Sequence, residues 1–217
     1  MLLAAGRGER LRPATDHVPK ALIEVGGVSL LERHLWRLAD AGVTVAVINL
    51  GWLGEQIVER IGSGTQFGLQ VAYSPEYTEI LETGGGIQRA LPLLGDAPFC
   101  VINADILTDM PLTWPDLPED VLGELMLVPN PPYRDHGDFA LEQGKITNSD
   151  ATTFTFSGVA RYRPEFFAQC RPGRFSLAPL LREAADGGQL AGRLYEGLWA
   201  DAGTPKRLAD LNKRLSR

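Results

Sequence analysis

MLLAAGRGERLRPATDHVPKAL, residues 1–22, is the stretch on which the fold of this 217-residue chain turns. Met1 to Ala5 is a short apolar run and reads as a buried strand. It breaks at Gly6-Arg7-Gly8 into a loop that carries Arg10, Arg12 and Lys20. A strand that ends in a glycine turn leaves backbone N–H groups free to wrap an anion. Fixed cations beside such a turn suit a polyphosphate, because guanidinium and ammonium groups spread over several oxygens. The loop is not the G-x-x-x-x-G-K-[ST] phosphate loop. Nor is it the dinucleotide fingerprint, because Leu11 stands where a third glycine is required. Met1 lies directly against the strand, an unusually tight start, and a few residues upstream of it are expected to be missing from the sequence.

Working outward, Ala21 to Val25 reads as extended and ends at Gly26-Gly27. Ser29 with Glu32 three residues on is a capping box, and the helix it opens carries Leu30, Leu31, His34, Leu35 and Leu38 at helical spacing. Val43 to Leu50 is a β-branched run suited to a parallel strand buried on both faces. Leu53 to Ile61 is expected to be a helix, Leu69 to Tyr73 a strand, and Leu81 to Gly86 a second glycine loop leading into a helix over 87–94. Pro98 to Ala104 is a further apolar strand and ends at Asp105. Strand and helix alternate to this point, which predicts an α/β, Rossmann-like doubly wound sheet, mixed but mostly parallel, flanked by helices.

The second half is richer in strands. Leu122 to Val128, a hairpin over 138–147 turning at Gln143-Gly144, and Thr153 to Arg161 are expected strands. Ser176 caps a helix, strand-like pieces follow at 190–195 and 198–200, and Thr204-Pro205 opens a last helix. The segment 109–120, rich in Pro, Trp and acid, is expected on the surface. The whole chain, 1–217, is expected to be a single domain, with 1–108 serving mainly a nucleotide and 109–217 mainly a sugar phosphate.

Composition narrows the function classes. A net charge of −6 argues against non-specific nucleic-acid binding, which needs a basic face. It leaves room for a small basic pocket. Two cysteines are too few for a disulfide framework, and Cys100 falls in an apolar run suited to the core. No apolar stretch approaches the roughly 18 residues of a membrane span, and no charged leader precedes the first strand. A cytoplasmic protein without membrane or nucleic-acid partners is expected.

Polyphosphate chemistry needs a divalent cation held by few protein carboxylates, usually Mg²⁺. Asp105, in Asn103-Ala104-Asp105, stands at the carboxyl end of a strand, where open α/β sheets place their ligands. Asp201, in Trp199-Ala200-Asp201, is similarly placed. Gly84 and Gly85 lack a Cβ, so a base ring has room to lie against their backbone. Asn130 and Asp138 fall near strand ends and suit sugar hydroxyls. The three histidines, His17, His34 and His136, show no metal spacing, and no G-x-S-x-G elbow is present.

The run L-L-A-A-G-R-G-E-R-L-R-P-A-T followed by P-K resembles the signature of the sugar-1-phosphate nucleotidyltransferases. The resemblance extends over the chain through Glu82 to Gly86, Asp105, Phe156-Ser157-Gly158 and Trp199-x-Asp201-x-Gly203-Thr204. It implies a GT-A-like nucleotidyltransferase fold with a small β-rich sugar-binding part. It also implies an enzyme using UTP, a sugar 1-phosphate and Mg²⁺, a monomer or small homo-oligomer. In that family the N–H groups of Ala5, Gly6 and Gly8 would hold the phosphates, and Arg10 and Lys20 would neutralise the transferred group. Asp105 and Asp201 would hold the metal. Gly84, Gly85 and Asn103 would meet the nucleoside, and Asp138 and Gly158, with Asn130, the sugar. The chain departs from the family where Ala104, rather than glycine, precedes Asp105. Base and sugar stay open: glucose or mannose 1-phosphate, another nucleotide, phosphocholine with CTP, or a non-catalytic nucleotide-sugar binder are the alternatives.

Overall fold

The computed structural model describes residues 1–150 and 152–215. The strands in chain order are β1 (Leu2–Leu3), β2 (Glu24–Val25), β3 (Val28–Ser29), β4 (Val45–Leu50), β5 (Gln70–Pro75), β6 (Phe99–Asn103) and β7 (Ile106–Thr108). They continue with β8 (Gly123–Val128), β9 (Phe139–Glu142), β10 (Lys145–Thr147), β11 (Thr153–Tyr162), β12 (Leu190–Leu194) and β13 (Trp199–Asp201). The α-helices are α1 (Leu30–Asp40), α2 (Gly54–Ile61), α3 (Glu82–Leu94), α4 (Leu177–Asp186) and α5 (Pro205–Leu215).

Nine strands form one sheet in the order β5-β4-β1-β6-β11-β8-β12-β10-β9. β5, β4, β1 and β6 run parallel, as the alternation of strands and helices demands. β11 then lies antiparallel between β6 and β8, and β12 joins β8 in parallel. β9 and β10 make the expected hairpin, and β9 also pairs with the start of β11. Strands β8 to β12 therefore close into a ring, while the parallel strands stay open.

Two smaller pairs matter for the site. β2 and β3 form a hairpin across Gly26-Gly27, both at positive φ, in place of the single extended run expected over 21–25. β7 pairs antiparallel with β13, with Ile106 opposite Asp201. β1 is shorter than its apolar run because the Ala4 N–H leaves the ladder and donates to Asn49 Oδ1 at 2.7 Å. The capping box at α1 is complete: Ser29 and Glu32 each satisfy the other's backbone N–H.

The glycines at 84–86 are not a loop. They lie in the first turns of α3 and are buried. Glycine disfavours a helix interior by about 1 kcal/mol, so its presence here reflects packing. A Cβ on Gly84 would enter the Phe175 ring, and one on Gly85 would overlap the Gly173 carbonyl oxygen. The excursion 109–120 is pinned inward by Met110 and Leu117, both buried. Two main apolar clusters sit on the faces of the sheet, and each takes residues from both halves of the chain. Among the described residues no helix is long and apolar enough to cross a membrane.

Candidate active site

The carboxyl ends of β1, β4 and β6 open onto a cleft of about 900 Å³. Its floor is the opening glycine stretch. Gly8 has φ +65, and a Cβ there would lie 2.9 Å from the Thr15 methyl and 3.0 Å from Lys20 Cβ. Only glycine lets the loop fold so close to its own far end. The loop is fastened by Thr15, whose hydroxyl donates to Gly8 O at 2.9 Å and whose carbonyl accepts from Trp52 Nε1 at 3.0 Å. Leu11 is buried beneath it.

The loop's cations divide by role. Lys20 enters the cleft and pairs with Asp105, both side chains being mostly buried. Arg10 lines the cleft and makes no ion pair among the described residues; its guanidinium sits 3.4 Å from where a Gly203 Cβ would stand. Arg7 stacks over the Trp52 ring at 5.0 Å, and Arg12 pairs with Asp16 outside.

Asp105 occupies the turn between β6 and β7. Its carbonyl accepts from Ala202 N at 2.9 Å, and the β7–β13 ladder sets Asp201 beside it. The two aspartates, 96 positions apart, thus arrive at one strand pair. Asp201 is half-buried and fully engaged by Tyr133 Oη, Arg207 Nη1 at 2.6 Å and Gly203 N at 2.9 Å. Burial raises its pKa, but those hydrogen bonds outweigh it and hold the carboxyl below its usual range. Among the described residues no group of three or more His, Cys, Asp or Glu side chains could hold a metal. Asp105 lines the cleft, whereas Asp201 lines the neighbouring cavity with Tyr133 and Arg207; by donor chemistry the two carboxylates fit Mg²⁺, which takes one or two protein carboxylates and completes its shell with phosphate and water. Gly203 lies between Asp201 and the loop, for a Cβ there would lie 2.5 Å from Asp201 Oδ1 and 3.4 Å from Arg10 Nη2.

Of the residues singled out in the sequence, Ala5, Gly6, Gly8, Arg10, Lys20, Asn103 and Asp105 line this one cleft. Gly84 and Gly85 do not, and the open platform expected for a base is filled by Phe175 and Gly173; Ile80, Glu82 and Thr83 form that wall. Glu82 holds φ +60, unusual for a side chain, and is tied by Arg174 Nε at 2.8 Å. Gly158, at φ +80 in an irregularity of β11, makes room for Asn103, whose Nδ2 would lie 2.5 Å from a Cβ. Asn130 spends both ends of its amide on β11, donating to Thr153 O and accepting from Thr155 Oγ1. Asp138 accepts from Phe156 N and pairs with Arg134. In this conformation Gly158, Asn130 and Asp138 shape the β8–β9–β11 wall rather than the cleft itself.

Sequence reasoning passed over Asn49 and Glu76. Both are almost fully buried and both line the cleft. Asn49 bridges Ala4 N and Glu76 Oε1, and Glu76 also accepts from Leu81 N at 2.8 Å. The signal was present: a polar Asn inside the apolar run 45–50, and a Glu directly after β5. Tyr133, Arg174 and Arg207 were also passed over, because nothing in their local sequence marks them.

Comparison with known proteins is consistent across the chain. The model of the nucleotidyl transferase family matches residues 1–115. The N-acetylmuramate alpha-1-phosphate uridylyltransferase of Neisseria meningitidis is 46% identical over 97% of this chain and 95% of its own length. The enzyme of that name from Caulobacter vibrioides is 35% identical over 100% and 96%. In structure, HddC of Yersinia pseudotuberculosis superposes with a TM-score of 0.79 at 20% identity, covering 98% of this chain and 97% of that one.

Proposed function

The chain belongs to the nucleotidyl transferase family, and from that premise we propose that it transfers UMP from UTP to N-acetylmuramic acid α-1-phosphate, giving the UDP-sugar and pyrophosphate. The observation that carries the reaction class is the convergence of the glycine loop, Arg10, Lys20 and Asp105 in one cleft. The choice of uracil and of the sugar rests on the two named relatives. A route that returns cell-wall sugar to nucleotide form is the setting this product implies.

A phosphate oxygen of the sugar 1-phosphate attacks the α-phosphorus of UTP. The new P–O bond forms as the bond to the bridging oxygen breaks, and pyrophosphate leaves with that electron pair. The nucleophile is already an anion, so no general base is required. The chain's work is to position and to neutralise. The N–H groups of residues 5–8 bind phosphate oxygens, and Lys20 and Arg10 offset charge on the transferred and departing groups. Asp105 and Asp201 would hold Mg²⁺, which would supply further charge neutralisation between the phosphates when bound. Lys20, paired with Asp105 in this structure, stands inside the cleft within reach of a bound triphosphate. The backbone at Ile80–Thr83 would meet the uracil, and the wall around Asp138 the sugar, leaving residues 1–108 chiefly with the nucleotide and 109–217 with the sugar phosphate.

Pyrophosphate release measured over UTP, CTP, GTP and dTTP, each with N-acetylmuramate, glucose and mannose 1-phosphates and phosphocholine, tests the reading. UTP with N-acetylmuramate 1-phosphate is the expected best pair. A higher kcat/KM for another pair reassigns the substrate, and no release with any pair refutes the reaction class.

A further inference from the structure

A smaller cavity, of about 220 Å³, lies between α1 and β7. α1 turns Arg33, His34 and Arg37 into it, and Trp36 forms part of its rim. Arg33 and Arg37 are four residues apart and so share a helix face. Each guanidinium is anchored by a single backbone carbonyl: Arg33 Nη2 donates to Val25 O at 2.6 Å, and Arg37 Nη2 donates to Met110 O. That anchoring fixes both planes and leaves Arg33 Nε and Arg37 Nη1 buried without a hydrogen-bond partner among the described residues.

His34 is 1% exposed and stands against the Ile106 backbone, to which its ring is hydrogen-bonded. On the opposite wall the Thr108 hydroxyl oxygen accepts from Met110 N at 3.1 Å, which leaves its proton to donate. Among the described residues no carboxylate lines the cavity. Asp109, whose charge Arg37 feels, is engaged by the Tyr195 hydroxyl.

The space is thus faced by free donors: two guanidinium edges and a hydroxyl. Single waters are able to satisfy such donors one at a time. Two fixed positive planes with no carboxylate between them are matched better by one anion that takes several short bonds at once. An unpaired buried donor costs about 1–3 kcal/mol, so leaving several here unmet is improbable on energetic grounds. We propose that the α1–β7 cavity is a binding site for a small oxyanion of the phosphate class, separate from the cleft. β7 begins at the residue after Asp105, and its ladder to β13 carries Asp201. An anion held here braces the strand pair that bears both aspartates.

Titration calorimetry with inorganic phosphate, on the full chain without nucleotide or divalent metal, tests this, with Trp36 emission followed in parallel. Wild type and Lys20→Met are expected to bind saturably with a change in Trp36 emission, since Lys20 belongs to the other cleft. Arg37→Met and Arg33→Gln are each expected to weaken binding about tenfold, the worth of one charge-assisted hydrogen bond. Arg33→Gln leaves the Met110 anchor intact and serves if Arg37→Met does not fold. Absence of saturable binding overturns the proposal. So does binding that both arginine variants retain at wild-type affinity, whether or not Lys20→Met abolishes it.

Discussion

Lys20 faces Asp105 across the cleft, and two demands meet on its ammonium. In the unliganded chain it keeps a mostly buried carboxylate paired; during turnover it is to meet the transferred phosphate. Removing a group that acts on transition-state charge costs about a hundredfold to a thousandfold in kcat. Lys20→Met is therefore expected to lower kcat by about that factor while circular dichroism stays native; an unchanged kcat in pyrophosphate release would remove Lys20 from the machinery. Arg7, stacked on Trp52, carries no such expectation. His34 supplies a second test at this scale. Burial, reinforced by the Arg37 charge, pushes its pKa down to about 4, against about 6.5 in an unfolded chain. The unfolded chain then binds a proton that the folded chain refuses, so stability falls as pH drops from about 6.5 to about 4. The loss amounts to about 3 kcal/mol for a group this buried. Urea midpoints in chloride buffer are expected to show that slope in wild type and a flatter one in His34→Gln. Equal slopes would mean that His34 is protonated in the fold. Glu32 and Asp201, whose pKa values are lowered from 4.5 and 3.8, add their own loss of stability as pH falls through those values, at the acid end of that window and below it.

At the scale of elements, α3 shows where local sequence misleads. Three consecutive glycines read as a loop because glycine is the poorest helix former after proline. What makes them helical is the segment 173–175, some ninety positions away, packed where side chains would be. The capping box of α1, by contrast, is legible because all its partners lie within four residues. The same contrast separates the strands. β4 and β6 announce themselves as continuous apolar runs. β7 does not, since it is three residues long and its partner β13 is far along the chain. The site divides likewise: the loop cations and Asp105 are readable from spacing, whereas Asn49, Glu76 and Arg207 gain their roles from contacts made only on folding. Gly85→Ala weighs the two influences against each other. Helix propensity alone favours alanine by about 1 kcal/mol. Its Cβ, however, falls inside the Gly173 carbonyl oxygen, which is backbone and cannot swing aside. The clash is expected to win, at about 1–3 kcal/mol. The segment carrying Arg174 would shift, and KM for the nucleotide would rise. A variant more stable than wild type in urea, with unchanged KM, would show that the segment moves freely.

Over the whole molecule, the proposed division of labour between 1–108 and 109–217 does not coincide with a division of the core. β11, from the second half, completes the hydrogen bonding of β6, from the first. One apolar cluster packs Leu2, Ile48 and Ile102 with Met126, Val128 and Val159; the other packs Met1, Val47 and Ile87 with Leu125, Leu127 and Ala160. Asp105 and Asp201 are joined the same way, one from each half, by β7 and β13. Neither half therefore buries its own faces alone, and unfolding of one exposes the other. Two-state behaviour is less assured at this length than in smaller domains, so the shared core makes a definite statement. Trp52, beside the opening loop, and Trp199, in β13, report on the two halves. In variants that keep only one of them, with the remaining tryptophans changed to Phe, urea midpoints from fluorescence are each expected to coincide with that from far-UV circular dichroism of the same variant. A fragment ending at residue 108 is expected to lack native dichroism, because the free edge of β6 has no partner. Fluorescence and dichroism midpoints that separate, or a folded fragment, would mean that the two halves are independent units and that the metal site forms only when they dock.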